Sequence, residues 1–144
     1  MASTITVAKR NNKSNGKKYF SLTEARRSLV LVRRITADIQ NTQANRLKLH
    51  AALALGAGKL KPVHMERLQN EFEVETDRLE IFIEELTKVG VELKDPSRGL
   101  LDFPSMFEGR EILFCWKADE ETITHWHEVE GGFAGRKSVA VMGG

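Results

Sequence analysis

From Leu22 to about Leu55, apolar residues recur at the three- and four-residue spacing of a helix face: Leu22, Ala25, Leu29, Val32, Ile35 and Ile39. No proline or glycine interrupts them. Ser21 stands where an N-cap belongs and Glu24 follows three residues later, the pattern of a reciprocal capping box, with Phe20 just outside as an apolar staple. Leu47, Leu49, Leu53 and Leu55 prolong the apolar side less regularly, and Gly56-Ala57-Gly58 predicts the stop, because glycine accepts the left-handed conformation of a C-terminal cap. Pro62 suits the first turn of a second helix. Met65, Leu68, Phe72, Glu75, Leu79, Phe82, Leu86 and Val89 then alternate steps of three and four, a heptad seam broken only at Glu75 and ended by Gly90. About six residues join the two helices, which predicts an antiparallel hairpin. In that pairing Gln43 and Arg46 reach the level of Glu75, and a buried polar contact among them would set the register.

After Gly90 the period shortens. Val91-Glu92-Leu93 is ambiguous, whereas Pro96, Gly99 and Pro104 bracket Leu100 to Phe103 as a short strand. Glu108-Gly109-Arg110 reads as a turn, Glu111 to Trp116 as the clearest strand, Lys117 to Glu121 as a hairpin loop and Thr122 to His127 as the next strand. Gly131 to Arg136 reads as a loop leading into an apolar tail. The pattern therefore predicts an α+β protein, a long antiparallel two-helix hairpin followed by a small antiparallel β-sheet. Its divisions are a leader over 1–18 and one domain over 19–144, with the hairpin in 19–90 and the sheet segment in 91–144. Leu31, Val32, Ile81 and Ile83 lie off a single narrow stripe, so each helix has more than one apolar side. The sheet covers part of that surface, and a homodimer through the helical hairpin, two hairpins closing a four-helix bundle, covers the rest.

Charge refines this picture. Lys9, Arg10, Lys13, Lys17 and Lys18 put +5 on the leader with no acid, so a chain of net charge +2 carries −3 from Tyr19 onward. The leader has the composition of a disordered basic arm. Nucleic-acid binding would rest on that arm alone, and the acidic body argues against it. Residues 21–55 hold six basic and two acidic side chains, whereas 62–90 hold three basic and eight acidic, an opposition that favours pairing of the two helices. No apolar run approaches the ~20 residues of a membrane helix, and the N-terminus lacks the apolar core of a signal peptide, so a cytoplasmic protein without a membrane partner is expected. One cysteine excludes an internal disulfide and any multi-cysteine zinc cluster within one chain.

Candidate chemistry gathers between Arg98 and Arg136, which hold both tryptophans and the cysteine. Alternate side chains of a strand share a face. Ile112, Phe114, Trp116 and Trp126 form the side that packs on the helices, and Glu111, Cys115, His125 and His127 the opposite side. An even register would put Glu111 opposite His127 and Leu113 opposite His125. Two histidines two apart on a strand, with a thiolate and a carboxylate, are a donor set for a divalent metal such as zinc, so His127, His125, Cys115 and Glu111 are candidate ligands. A half-exposed strand with an inert buried cysteine is the competing and more common arrangement. Cys115 as a nucleophile with His127 as base is a further alternative, needing an electropositive setting from Arg110 or Arg136. Gly131, Gly132, Gly135 and Arg136 can bind an anion, although an extended continuation favours a plain turn with a structural arginine.

The segments YFSLTEA (from Tyr19), GVELKD (from Gly90), GLLDFP (from Gly99), GREILFCW (from Gly109) and WHEVEGGFAGR (from Trp126) resemble, in this order, a prokaryotic family of small uncharacterised proteins, domain of unknown function 2203. The resemblance runs from Tyr19 to about Val139. It implies a helical pair followed by this signature segment in a cytosolic protein, with recurring polar positions at Asp102, Arg110, Cys115, His127, Glu128 and Arg136. His125 stands where the family pattern has an aromatic residue, and Ala118 to Glu121 replaces a tighter glycine-containing turn. With Trp116, those six residues make up the candidate pocket. The function expected is a small cytosolic binding or assembly protein with a ligand or metal pocket on the C-terminal sheet. The alternative is a metal- or thiol-dependent enzyme acting on a small anionic substrate held by Arg110 and Arg136.

Overall fold

Ser21 accepts a hydrogen bond from the Glu24 amide at 3.0 Å and the Glu24 carboxylate accepts one from the Ser21 amide at 2.9 Å, so the capping box fixes the start of helix α1, Leu22–Gly56. The computed structural model describes residues 17–142. The leader expected over 1–18 therefore lies outside the described residues, apart from Lys17 and Lys18. These two are held in place, Lys17 by ion pairs to Glu111 and Glu92 and Lys18 over the Phe20 ring. Helix α2, Pro62–Val89, begins with its proline in the first turn. It ends at Gly90, whose φ of 103° lets its amide and that of Val91 reach back to the Leu86 carbonyl.

Two details of the hairpin differ from the sequence reading. Gly56 is the last helical residue rather than the cap, and a Cβ there would lie 2.6 Å from Leu60, so its smallness serves the tight connection while Gly58 takes the left-handed conformation. Glu75 meets Asn45 and Arg78, and Arg46 instead donates to Thr76 Oγ1 at 2.9 Å and to Gln43. The register is thus set by an arginine–threonine contact one residue away from the seam acid.

The five strands are β1 (Glu92–Asp95), β2 (Leu100–Phe107), β3 (Arg110–Lys117), β4 (His125–Glu128) and β5 (Lys137–Ser138), antiparallel and in sequence order across the sheet. The fold is α+β, as expected. Strand β2 runs through Pro104 rather than stopping there. Its partner β1 ends at the Glu92–Asp102 pair, and beyond it the Pro104 carbonyl turns outward to accept from the Phe20 amide at 2.7 Å. The imide nitrogen faces that same outer side, so no bond of the β2–β3 ladder is lost. Glu108 (φ 51°) and Gly109 (φ 80°) form the two-residue turn to β3, both in the left-handed region that a tight hairpin requires. Strand β4 starts later than the sequence suggested: residues 122–124 belong to the preceding loop, where Glu120 ties the turn through its carbonyl to the Trp116 indole and through its carboxylate to the Lys117 amide.

Leu101, Phe103, Ile112, Phe114, Trp116 and Trp126 face the helices and join Ala25, Leu29, Val32, Ile35, Ile39 and Leu86 in one core. At about 1.5–3 kcal/mol per buried large side chain, this face supplies the main stabilisation of the sheet. Ile123, which strict alternation would have put on the other side, is also fully buried in this core because it lies outside β4.

Candidate functional site

The side of the sheet turned away from the helices carries the polar groups. Pairing sets Asp102 opposite Cys115 and Cys115 opposite His125, while Leu113 pairs with His127. The register is shifted by two residues from the expected one, which kept every side chain on its face but changed its neighbours. Asp102, Cys115 and His127 consequently converge from three adjacent strands. Each is 3% exposed or less, and one donor atom from each lies within 4.8 Å of the other two.

The hydrogen bonds of His127 define its state. Its Nδ1 lies 2.7 Å from the Glu128 carbonyl, which can only accept, so Nδ1 carries a hydrogen. Its Nε2 lies 3.0 Å from Asp102 Oδ1. In a neutral ring that Nε2 is a lone pair facing a carboxyl oxygen, and the contact is favourable only if a cation, a proton or a metal ion, sits between them. Burial raises the Asp102 pKa, opposed by the hydrogen bond to His127 and by the charges of His127 and Lys94. Burial likewise pushes the Cys115 thiol up to about 11 despite the neighbouring Arg136 guanidinium. Without a metal, Cys115 is a protonated, unreactive thiol at neutral pH, which counts against its use as a free nucleophile.

The donor set fits a transition-metal dication. An imidazole, a thiolate and a carboxylate are the usual zinc donors, and tetrahedral coordination separates such atoms by about 3.3–3.8 Å, which side-chain motion on the order of 1 Å reaches from here. A backbone carbonyl holding the second ring nitrogen of the histidine is the common outer-shell partner of a ligating imidazole, and it leaves the Nε2 lone pair aimed at the site. Arg136 donates to the Cys115 carbonyl at 3.2 Å and to Glu120 at 2.9 Å, and its guanidinium also interacts with the thiol. Arg136 Nε is buried without a hydrogen-bond partner among the described residues.

The remaining candidates are placed elsewhere. Glu111 is taken up by Lys17 and Tyr19. His125 Nδ1 contacts the Thr124 hydroxyl at 2.8 Å rather than the cluster. Trp116 is buried in the helix-facing core. Arg110 forks onto both oxygens of Glu128 at 2.9 and 2.8 Å on the exposed rim, with Lys137 alongside. That pairing holds the Glu128 carboxyl down to about 2 and also anchors the residue whose carbonyl holds His127. The glycine-rich loop runs beside the site: Gly131 packs beside His127, and the Phe133 ring is flanked by Arg98, Lys117 and Arg136 at 4.9, 5.9 and 4.6 Å. Asp102 is the member of the cluster that spacing alone did not supply, since only the register brings it to His127.

No curated protein and no solved structure matches this chain at a significant level. A family model described as an uncharacterized conserved protein, DUF2203, matches residues 18–139, a span that contains both helices, all five strands and the whole Asp102–Cys115–His127 cluster, and the chain belongs to that family.

Proposed function

We propose that this chain is a cytoplasmic metal-binding protein that holds one divalent transition metal, zinc or a metal of similar preference, through Asp102, Cys115 and His127. The observation that carries the reading is the approach of His127 Nε2 to Asp102 Oδ1 at 3.0 Å, with Nδ1 held by a carbonyl and the sulfur within 4.8 Å. A dication in this position compensates the buried carboxylate and deprotonates the thiol. The role is binding rather than thiol catalysis, because the sulfur is buried and burial pushes its pKa to about 11. A free thiol used as a ligand suits a reducing compartment, which is the ground for the cytoplasmic assignment.

Metal analysis of the full chain purified without chelator tests this. The expected result is near-stoichiometric zinc or a neighbouring metal in the wild type and its loss in His127→Ala. A wild-type protein that neither retains zinc nor binds added zinc stoichiometrically would overturn the reading and leave Asp102 and His127 as a pair sharing a proton.

A further inference from the structure

The hairpin is longer than the sheet it supports. Apart from Gly56 at the tip, the buried residues of α1 lie between Ala25 and Thr42, and those of α2 are Leu79 and Leu86. Contacts such as Arg46 to Thr76 and His50 to Phe72 put 43–56 level with 62–78, so these stretches form a limb projecting beyond the sheet. At 1.5 Å per residue the limb is about 20 Å long. Its seam residues Leu49, Leu53, Met65, Leu68 and Phe72 are only half-buried. A helical pair this short is marginal without a partner.

On the side of the limb away from the sheet, Asn45, Lys48, Leu49, Arg67, Asn70, Glu71, Val74 and Glu75 line a groove of about 500 Å³. The apolar residues of this lining are Leu49 and Val74, the latter 56% exposed, and its charged residues are two cations and two anions. Among the described residues, Lys48, Arg67 and Glu71 form no ion pair within the chain. In a two-fold symmetric contact the same patch meets itself, so a patch of a single sign repels its copy while this balanced one does not. Of the charges lining the groove, α1 contributes Lys48 and α2 contributes Arg67, Glu71 and Glu75, so the favourable crossing lays α1 of one copy over α2 of the other. A two-fold axis running along the hairpin achieves this and keeps each residue at its own level. Lys48 then faces Glu71 and Glu75 of the other copy. The outer face of the hairpin, about 42 Å along its shorter helix and ~20 Å across, offers on the order of the 800 Å² that a stable dimer buries per partner.

We infer that the outer face of the hairpin binds a second copy of this chain, α1 over α2, around Leu49 and Val74. The inference stands apart from the metal reading, and the same mass is expected with or without chelator.

Sedimentation equilibrium of the full chain tests it. The expected wild-type mass is twice 16.2 kDa. Val74→Glu, at an exposed position, is expected to retain the helical circular dichroism and sediment as a single chain. Lys48→Glu and Glu71→Lys should each weaken the dimer by about tenfold or more, and the double variant should recover most of the loss. A wild type that stays at the mass of one chain at concentrations of about 0.5 mM, far above the micromolar Kd of a modest dimer, overturns the inference. A dimer whose affinity none of the three substitutions changes overturns it as well, since the contact would then lie on another face.

Discussion

Asp102, Cys115 and His127 are three ionisable groups brought together on one face of the sheet, each nearly removed from water. Such burial is unfavourable unless the charges are compensated, and in the metal-free protein the Asp102–His127 contact is the compensation that remains. The sign of the Asp102 shift makes this testable. A carboxyl whose folded pKa is raised contributes most while protonated, fully so below its unfolded value of 3.8, and that contribution is lost as the pH rises through the higher folded value. In chelator-treated protein, denaturant unfolding should therefore show stability falling with pH above 3.8, and Asp102→Asn should remove that part of the slope while retaining a hydrogen bond to Nε2. A slope unchanged by the substitution would mean that Asp102 is ionised in the fold without penalty. At this scale the sequence was partly legible. Alternation along β3 placed Cys115 on the polar face and alternation along β4 placed His127 there, but any even register preserves those faces. Only the loop over 118–124 sets Leu113, rather than Glu111, opposite His127, and so brings the imidazole within reach of Asp102.

The helices were legible almost to the residue because caps and glycines are local signals: Ser21 with Glu24 at one end and Gly90 at the other act through the backbone beside them. Gly90 carries a prediction at this scale. With φ at 103° and a Cβ position 3.0 Å from Lys18, Gly90→Ala is expected to cost about 1–2 kcal/mol by urea unfolding, and more than Gly58→Ala, where φ is 77° but no atom of the described residues lies within 4 Å. Equal losses at the two sites would show that packing against the segment entering α1 contributes nothing. The strands were read less well, because their limits depend on partners far along the chain. Pro104 looked like a terminator, yet it sits inside β2 since its outward carbonyl accepts from the Phe20 amide and its missing N–H costs the β2–β3 ladder nothing. Thr122 to Thr124 looked like strand but form a loop, because Glu120 binds Trp116 and Lys117 and holds the chain off the ladder.

At the scale of the molecule the two halves divide the work. The helices supply the core under one face of the sheet and extend past it as a limb, while the other face gathers donors from β2, β3 and β4. A metal on those donors would cross-link three strands and stabilise the folded chain by mass action. It would also require the Cys115 proton, shifted up to about 11, to leave, so affinity should rise by about tenfold per pH unit across neutrality. The most direct test is a cobalt(II) titration of the metal-free full chain followed by absorbance. The account predicts a one-to-one endpoint with a thiolate-to-cobalt charge-transfer band, absent in Cys115→Ser and at least about tenfold weaker in affinity in Asp102→Asn and His127→Ala. Stoichiometric cobalt binding without that band, or a band that survives His127→Ala at unchanged affinity, would contradict it.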